Sequence, residues 1–262
     1  MHKNTHAFSL VELSIVLVIL GLLTGGILAG QNLIRAAELR SITTDYSSHI
    51  TAVNTFRDKY FALPGDFDQA EDFWGTRAAG DAACKAGAST NALTCNGDGN
   101  GRIQDNADRS NELFRFWQHL ANAGLIEGTY TGVAGSGSSQ DVDFGVNAPP
   151  SRYPNAGFST RYQGTIPTGF SHAYEGDYQH VMFFGTEITA GNYTGFGAAL
   201  APEDAWNIDT KLDDGLPAQG VVVAPKATSP LTPGCTTSDA MDAEYAVSDP
   251  DILCSLVWRR LY

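Results

Sequence analysis

Apolar and polar positions are distributed in two different ways along this chain. From Phe8 to Ala29 nearly every position is apolar, on all sides of any helix drawn through it, and Glu12 is the single charge. At about 1.5 Å of rise per residue such a run crosses a hydrocarbon core of about 30 Å, so a membrane-spanning helix is expected over residues 8–30. Beyond it the pattern becomes one-sided. Leu33, Ala37, Ile42, Tyr46, Ile50, Val53, Phe56 and Tyr60 recur at three-, four- and five-residue steps with polar residues between them. That spacing predicts an amphipathic continuation over residues 31–62, hence one long helix whose second half packs on a globular head at residues 63–262. Gly25, Gly26 and Gly30 are its weak points, and Pro64-Gly65 ends it.

Downstream the elements shorten. A brief helix after Asp66 or Asp68, either of which can cap it, would anchor through Phe67, Phe73 and Trp74. A second helix, capped by Asp108 or Ser110 and ended by Gly124, would bury Leu113, Phe114, Trp117, Leu120 and Ala121, with His119 beside that face, structural or solvated and not catalytic. From Gly128 onward strands and long loops take over. Residues 180–185 and 220–224 read as buried strands, residues 201–206 as the start of a helix, and residues 254–262 as a final strand with Arg259 and Arg260 solvated. The expected class is α+β, a long N-terminal helix on an antiparallel sheet.

Charge narrows the possibilities. The 262 residues carry a formal charge of −13, so nucleic-acid binding through a broad basic face is not expected. The four cysteines form two close pairs in sequence, Cys84 with Cys95 and Cys235 with Cys254. In an oxidising compartment both pairs would close as disulfides, although four cysteines allow three pairings and buried free thiols are the other reading. The spacings lack a Cys-x-x-Cys unit, which argues against zinc or redox chemistry at sulfur. No nucleophile elbow, phosphate loop or His-Glu-x-x-His motif is present, and no enzyme activity is expected.

One stretch carries metal chemistry. Asn96, Asp98 and Asn100 place side-chain oxygens at alternate positions ahead of Gly101, as in the first half of an EF-hand-like loop, where a sharp turn aims them at one Ca²⁺. The Arg102 backbone carbonyl would follow, with Ile103 anchoring the loop to the core. The closing Glu of such loops is replaced by Ala107, so Asp105, Asp108 or Glu112 would complete the shell, and binding would be weakened to a level that millimolar calcium outside the cytoplasm can fill. The other reading is an Asn/Gly-rich turn without metal. Asp213-Asp214-Gly215 is an ordinary turn that could serve as a second cation loop.

The residues before the apolar run, 1–7, carry Lys3 and end in the small Ala7, so a cleavage site would precede the apolar helix instead of following it as in an ordinary secretory leader. Ala7-Phe8-Ser9-Leu10-Val11-Glu12-Leu13 resembles the cleavage and methylation motif of type IV pilins and type II secretion pseudopilins. The resemblance implies a leader at residues 1–7, cleavage after Ala7 by a prepilin peptidase, N-methylation of Phe8, and a role for Glu12 in assembly. The family usually has Gly where this chain has Ala7; alanine is small enough for the peptidase pocket, with slower cleavage. Leu63-Pro64-Gly65-Asp66, with Phe73-Trp74-Gly75 soon after, is similar to a subgroup of larger prepilin-like proteins.

Glu12 is also informative by itself. A carboxylate in an apolar helix costs a few kcal/mol, so it is paired or functional, and the Phe8 amine of a neighbouring helix is an available partner; the other reading is a Glu snorkelling to headgroups near the helix end. The resemblance implies a filament subunit, minor or tip-located given its size, with a periplasmic head, other pilin or pseudopilin subunits, the prepilin peptidase and an inner-membrane assembly platform as partners. The alternative from another class is a membrane-tethered periplasmic binding module or hydrolase that keeps a prepilin-type signal.

Overall fold

The computed structural model describes residues 10–77, 92–104, 112–137, 140–188 and 195–262, and the chain divides into two compact units, residues 1–40 and 41–262. Helix α1 (Leu10–Tyr60) runs without a break through Gly21, Gly25, Gly26 and Gly30. Over its apolar stretch the side chains are displayed outward: Leu10, Leu17, Leu22 and Leu28 are all more than half exposed. That segment meets the length and hydropathy needed to cross a membrane.

In the second unit the remainder of α1 is an ordinary core helix. Ile42, Val53 and Phe56 are fully buried. Phe56 packs among Phe67, Trp74 and His119. The head also holds a four-stranded antiparallel sheet of order β1-β2-β4-β3, formed by β1 (Gly157–Ile166), β2 (Gly176–Gly185), β3 (Val222–Val223) and β4 (Leu256–Arg259). The register puts Phe158 opposite Phe184 and Met182 opposite Trp258. Those side chains alternate onto the face that meets the helix, where Tyr46 stacks on Trp258 at 4.7 Å and His49 sets its edge against Phe158 at 5.1 Å. The opposite face is apolar too, with Val181, Phe183, Val223 and Val257 packed beside Phe196. A sheet covered on both faces explains why the reading from sequence found β2 as a continuous apolar run.

Among the described residues three further helices lie in this unit: α2 (Ala70–Trp74), α3 (Glu112–Asn122) and α4 (Pro202–Leu212). Helix α3 buries His119 along with Leu113, Phe114, Trp117 and Leu120, and Trp117 meets His49 at 5.2 Å.

Several local expectations are corrected. Neither Asp66 nor Asp68 caps α2; Gln69 holds the cap position without a side-chain bond, because the Asp66 carboxylate is engaged elsewhere. Phe67 is buried as expected, whereas Phe73 is 58% exposed. Arg259 is buried, its Nε donating to the Gly220 carbonyl and its guanidinium lying 5.2 Å from the Tyr178 ring, while Arg260 is exposed. The expected caps Asp108 and Ser110 lie outside the described residues.

Candidate functional site

Two tight turns and one helix start converge to make the polar centre of the head. The first turn is Pro64-Gly65-Asp66, where α1 ends. Gly65 has φ +87°, and a Cβ there would sit 2.5 Å from the Glu112 carbonyl, so only glycine lets the turn lie against the start of α3. The second is the Asn96–Gly101 loop. A Cβ on Gly97 would fall 2.3–2.5 Å from the backbone of residues 65 and 66, and the glycine instead donates its N–H to the Phe67 carbonyl at 2.8 Å. His119 fastens the arrangement from beneath: its Nδ1 accepts the Gly65 N–H at 3.0 Å and its Nε2 meets Thr94 Oγ1 at 3.0 Å. Thr94 donates its hydroxyl proton to Gln118, so the imidazole is the neutral Nε2–H tautomer, and burial lowers its pKa to about 3.

Asp66, Asp98 and Glu112 meet at this convergence, each offering an oxygen within 4.8 Å of the others. Asp66 and Glu112 are buried. Asp66 accepts the N–H groups of Asn100 at 3.0 Å and Gly101 at 2.8 Å; Glu112 accepts those of Asp98 at 3.1 Å and Gln104 at 3.1 Å. Burial first, with the neighbouring carboxylate charges adding to it, pushes Glu112 up to about 8 and Asp66 up to about 6, and what opposes it is backbone N–H donation.

Such a set fits a hard divalent cation. Calcium takes oxygens at about 2.3–2.6 Å, so oxygens sharing one ion lie within about 5 Å of each other, and its charge offsets the cost of ionising buried carboxylates together. Sulfur and imidazole do not enter the cluster, which disfavours softer metals.

The expected ligand set is therefore redistributed. Asp98 is in the cluster. Asn96 turns away, its Oδ1 accepting the Glu71 N–H at 2.8 Å, so it fastens the loop to α2. Asn100 closes the turn itself, taking the Arg102 N–H on Oδ1 at 2.8 Å and donating from Nδ2 to Asp98 at 2.8 Å. Arg102 is exposed with its guanidinium 4.8 Å from the Tyr162 ring, and Ile103 is buried with its N–H on His180 Nε2 at 3.2 Å. Asp105 and Asp108 lie outside the described residues. Asp66 joins the centre, although its place after Pro64-Gly65 reads in sequence as a helix cap; the signal for a second role is the run of glycines at 97, 99 and 101, which marks a loop that must approach other backbone closely.

Asp209, Asp213 and Asp214 form another carboxylate group. It behaves as a turn. Asp209 accepts the Tyr245 hydroxyl at 2.8 Å and the Gly215 N–H at 3.2 Å, and Asp213 accepts the N–H groups of Val221 and Val222. Cys235 and Cys254 are joined by a disulfide. Cys95 is disulfide-bonded as well, and its expected partner Cys84 lies outside the described residues.

At the other end of the chain Ala7 and Phe8 lie outside the described residues, and Glu12 sits in the first turn of α1. Residues 2–28 match the model of the prokaryotic N-terminal methylation motif, the prepilin-type signal of type IV pilins and pseudopilins. No curated protein and no solved structure matches the chain.

Proposed function

We propose that this chain, which carries a prepilin-type signal, is a structural subunit of a type IV pilus or a type II secretion pseudopilus, in a minor or tip position. The observation that carries this reading is the match at residues 2–28, whose described part, from Leu10 on, lies on a helix with its apolar side chains exposed. A prepilin peptidase cleaves after Ala7, Phe8 becomes the methylated N-terminus, and residues 8–30 hold the chain in the inner membrane with its head in the periplasm. The assembly platform then draws it into a filament where apolar helices bury one another. There Glu12 sets register by pairing with a neighbouring Phe8 amine, an attraction that is strong where the dielectric is low.

Calcium completes the head. Asp66, Asp98 and Glu112 supply the carboxylates, and the Arg102 carbonyl with Asp105 or Asp108 fills the remaining positions. Bound there, the ion joins the end of α1, the glycine-rich loop and α3, and so stiffens the part of the head nearest the helix end.

The deciding experiment is the intact mass of the protein from membranes of cells with and without the prepilin peptidase. A loss equal to residues 1–7 with the gain of one methyl, seen only when the peptidase is present, supports the reading. An unprocessed mass in both strains would overturn it and favour a tethered module.

A further inference from the structure

The strongest unassigned feature of the head lies far in sequence from the carboxylate centre. A cleft of about 490 Å³ opens between α4 and the segments at 214–216 and 244–247. Trp206 lines it, 42% exposed, with the aliphatic side chains of Leu216 and Val247 also open to solvent. Its charged lining is of one sign: Glu203 from the first turn of α4, Asp214 and Glu244, with no Lys, Arg or His among the described residues that line it. Glu203 and Glu244 do not belong to the converging carboxylate group at Asp209, so the cleft is not arranged as a cage for a bare metal ion.

An exposed indole beside several carboxylates has a definite chemical preference. The ring face is electronegative and attracts an organic cation within about 6 Å of its centre; carboxylates at the rim add attraction, and aliphatic walls cover the methylene stem of a long cationic side chain. A neutral apolar partner would leave the carboxylates beside it desolvated, and an acidic one would be repelled.

We propose that this cleft docks a lysine- or arginine-bearing segment of a partner protein, the cationic head lying over Trp206 between Glu203 and Glu244 and its stem along Leu216 and Val247. The argument is charge complementarity on a chain of net charge −13, sharpened by a large exposed aromatic that lines the same cleft as the three carboxylates. It does not depend on the filament reading: a tethered module would carry the same cleft.

The test uses the full-length chain in lipid nanodiscs and a labelled, end-capped pentapeptide with a central lysine flanked by leucines, followed by fluorescence anisotropy at low salt. The peptide should bind at least about tenfold more tightly than its norleucine counterpart, and Trp206→Ala and the double change Glu203→Gln with Glu244→Gln should each weaken it by about tenfold. The thermal midpoint should stay unchanged in the double glutamate variant, whose side chains are exposed, so loss of binding there is not loss of fold. Trp206→Phe should retain more of the affinity than Trp206→Leu, because leucine keeps apolar contact but offers no ring face to the cation. Equal binding of the norleucine peptide, undiminished binding in both variants, or no binding at millimolar peptide would each overturn the proposal. So would a Trp206-dependent fluorescence response to a neutral oligosaccharide in place of the peptide, which would reassign the cleft to a sugar.

Discussion

Glu112 and His119 sit seven positions apart on one helix, are both buried, and are each displaced from their ordinary titration, in opposite senses for the charge they carry. Glu112 is raised because burial penalises its ionised form, and the nearby Asp98 and Asp66 carboxylates add to that. Glu112→Gln leaves one acceptor oxygen for the two N–H groups of Asp98 and Gln104, so it should lower the thermal midpoint in EDTA and abolish the gain from calcium. The unmodified chain should gain on the order of 1 kcal/mol at millimolar calcium, a rise of a few degrees, given the weak affinities typical of extracellular sites. Calorimetry in EDTA and in calcium checks both signs.

His119 is lowered to about 3 because its site admits only the neutral ring. Between its ordinary value near 6.5 and about 3 the unfolded chain binds the proton and the folded chain does not. Its contribution is thus fully present above pH 6.5 and is lost as pH falls toward 3, at up to about 1.4 kcal/mol per pH unit. Urea unfolding across pH 4–7 should show this slope, and His119→Gln should reduce it by one proton's worth, since glutamine can still accept from Gly65 and donate to Thr94.

Among the elements, α1 carries the plainest local conflict. Phe61 follows its last turn with φ +55°, donates its N–H to the Arg57 carbonyl at 2.9 Å, and is 93% exposed. This is the left-handed position that closes a helix, where glycine is the usual residue. Phe61→Gly gives up almost no buried surface and relieves the backbone, so it should stabilise the chain by about 0.5–1 kcal/mol, read as a higher urea midpoint with an unchanged slope. The sheet shows the converse, local rules overridden by context. Strand β1 has Ser159, Thr160, Arg161 and Gln163 among its residues, and a polar run of that kind does not announce a strand. It forms because Phe158 fills the helix-facing side and Thr160 gives its hydroxyl to the Val181 carbonyl at 2.8 Å, both supplied by partners distant in sequence.

For the molecule as a whole, irregular chain between short strands makes cross-links valuable. The Cys235–Cys254 disulfide closes a loop with a sequence separation of 19, and its removal by paired alanine substitution should cost about 3 kcal/mol from loop entropy, measured by urea unfolding under conditions that leave other disulfides intact. The bond ties β4 to the segment that runs past Leu231, which packs against the outer face of the sheet, so its loss should loosen that layer before the layer facing α1.

What the order of residues determined alone is the part governed by short-range periodicity: the apolar run at 8–29, the one-sided continuation of α1, the stop at Pro64-Gly65, the buried strand at 180–185 and the close cysteine pair at 235 and 254. Each follows from side-chain spacing on a single element, or from chemistry that needs no distant partner. What tertiary structure decided is everything that depends on which turns meet. It placed Asp66 in the carboxylate centre instead of on a helix cap, turned Asn96 toward α2, buried Arg259, and put Phe73 in solvent. Linear spacing reports which face of an element a residue occupies, and it is silent on what the fold brings to that face. Desolvation and charge at a buried site are set by that second fact, which is why the glycine-rich loop was legible as a tight turn but the meeting of Asp98 with Asp66 and Glu112 was not.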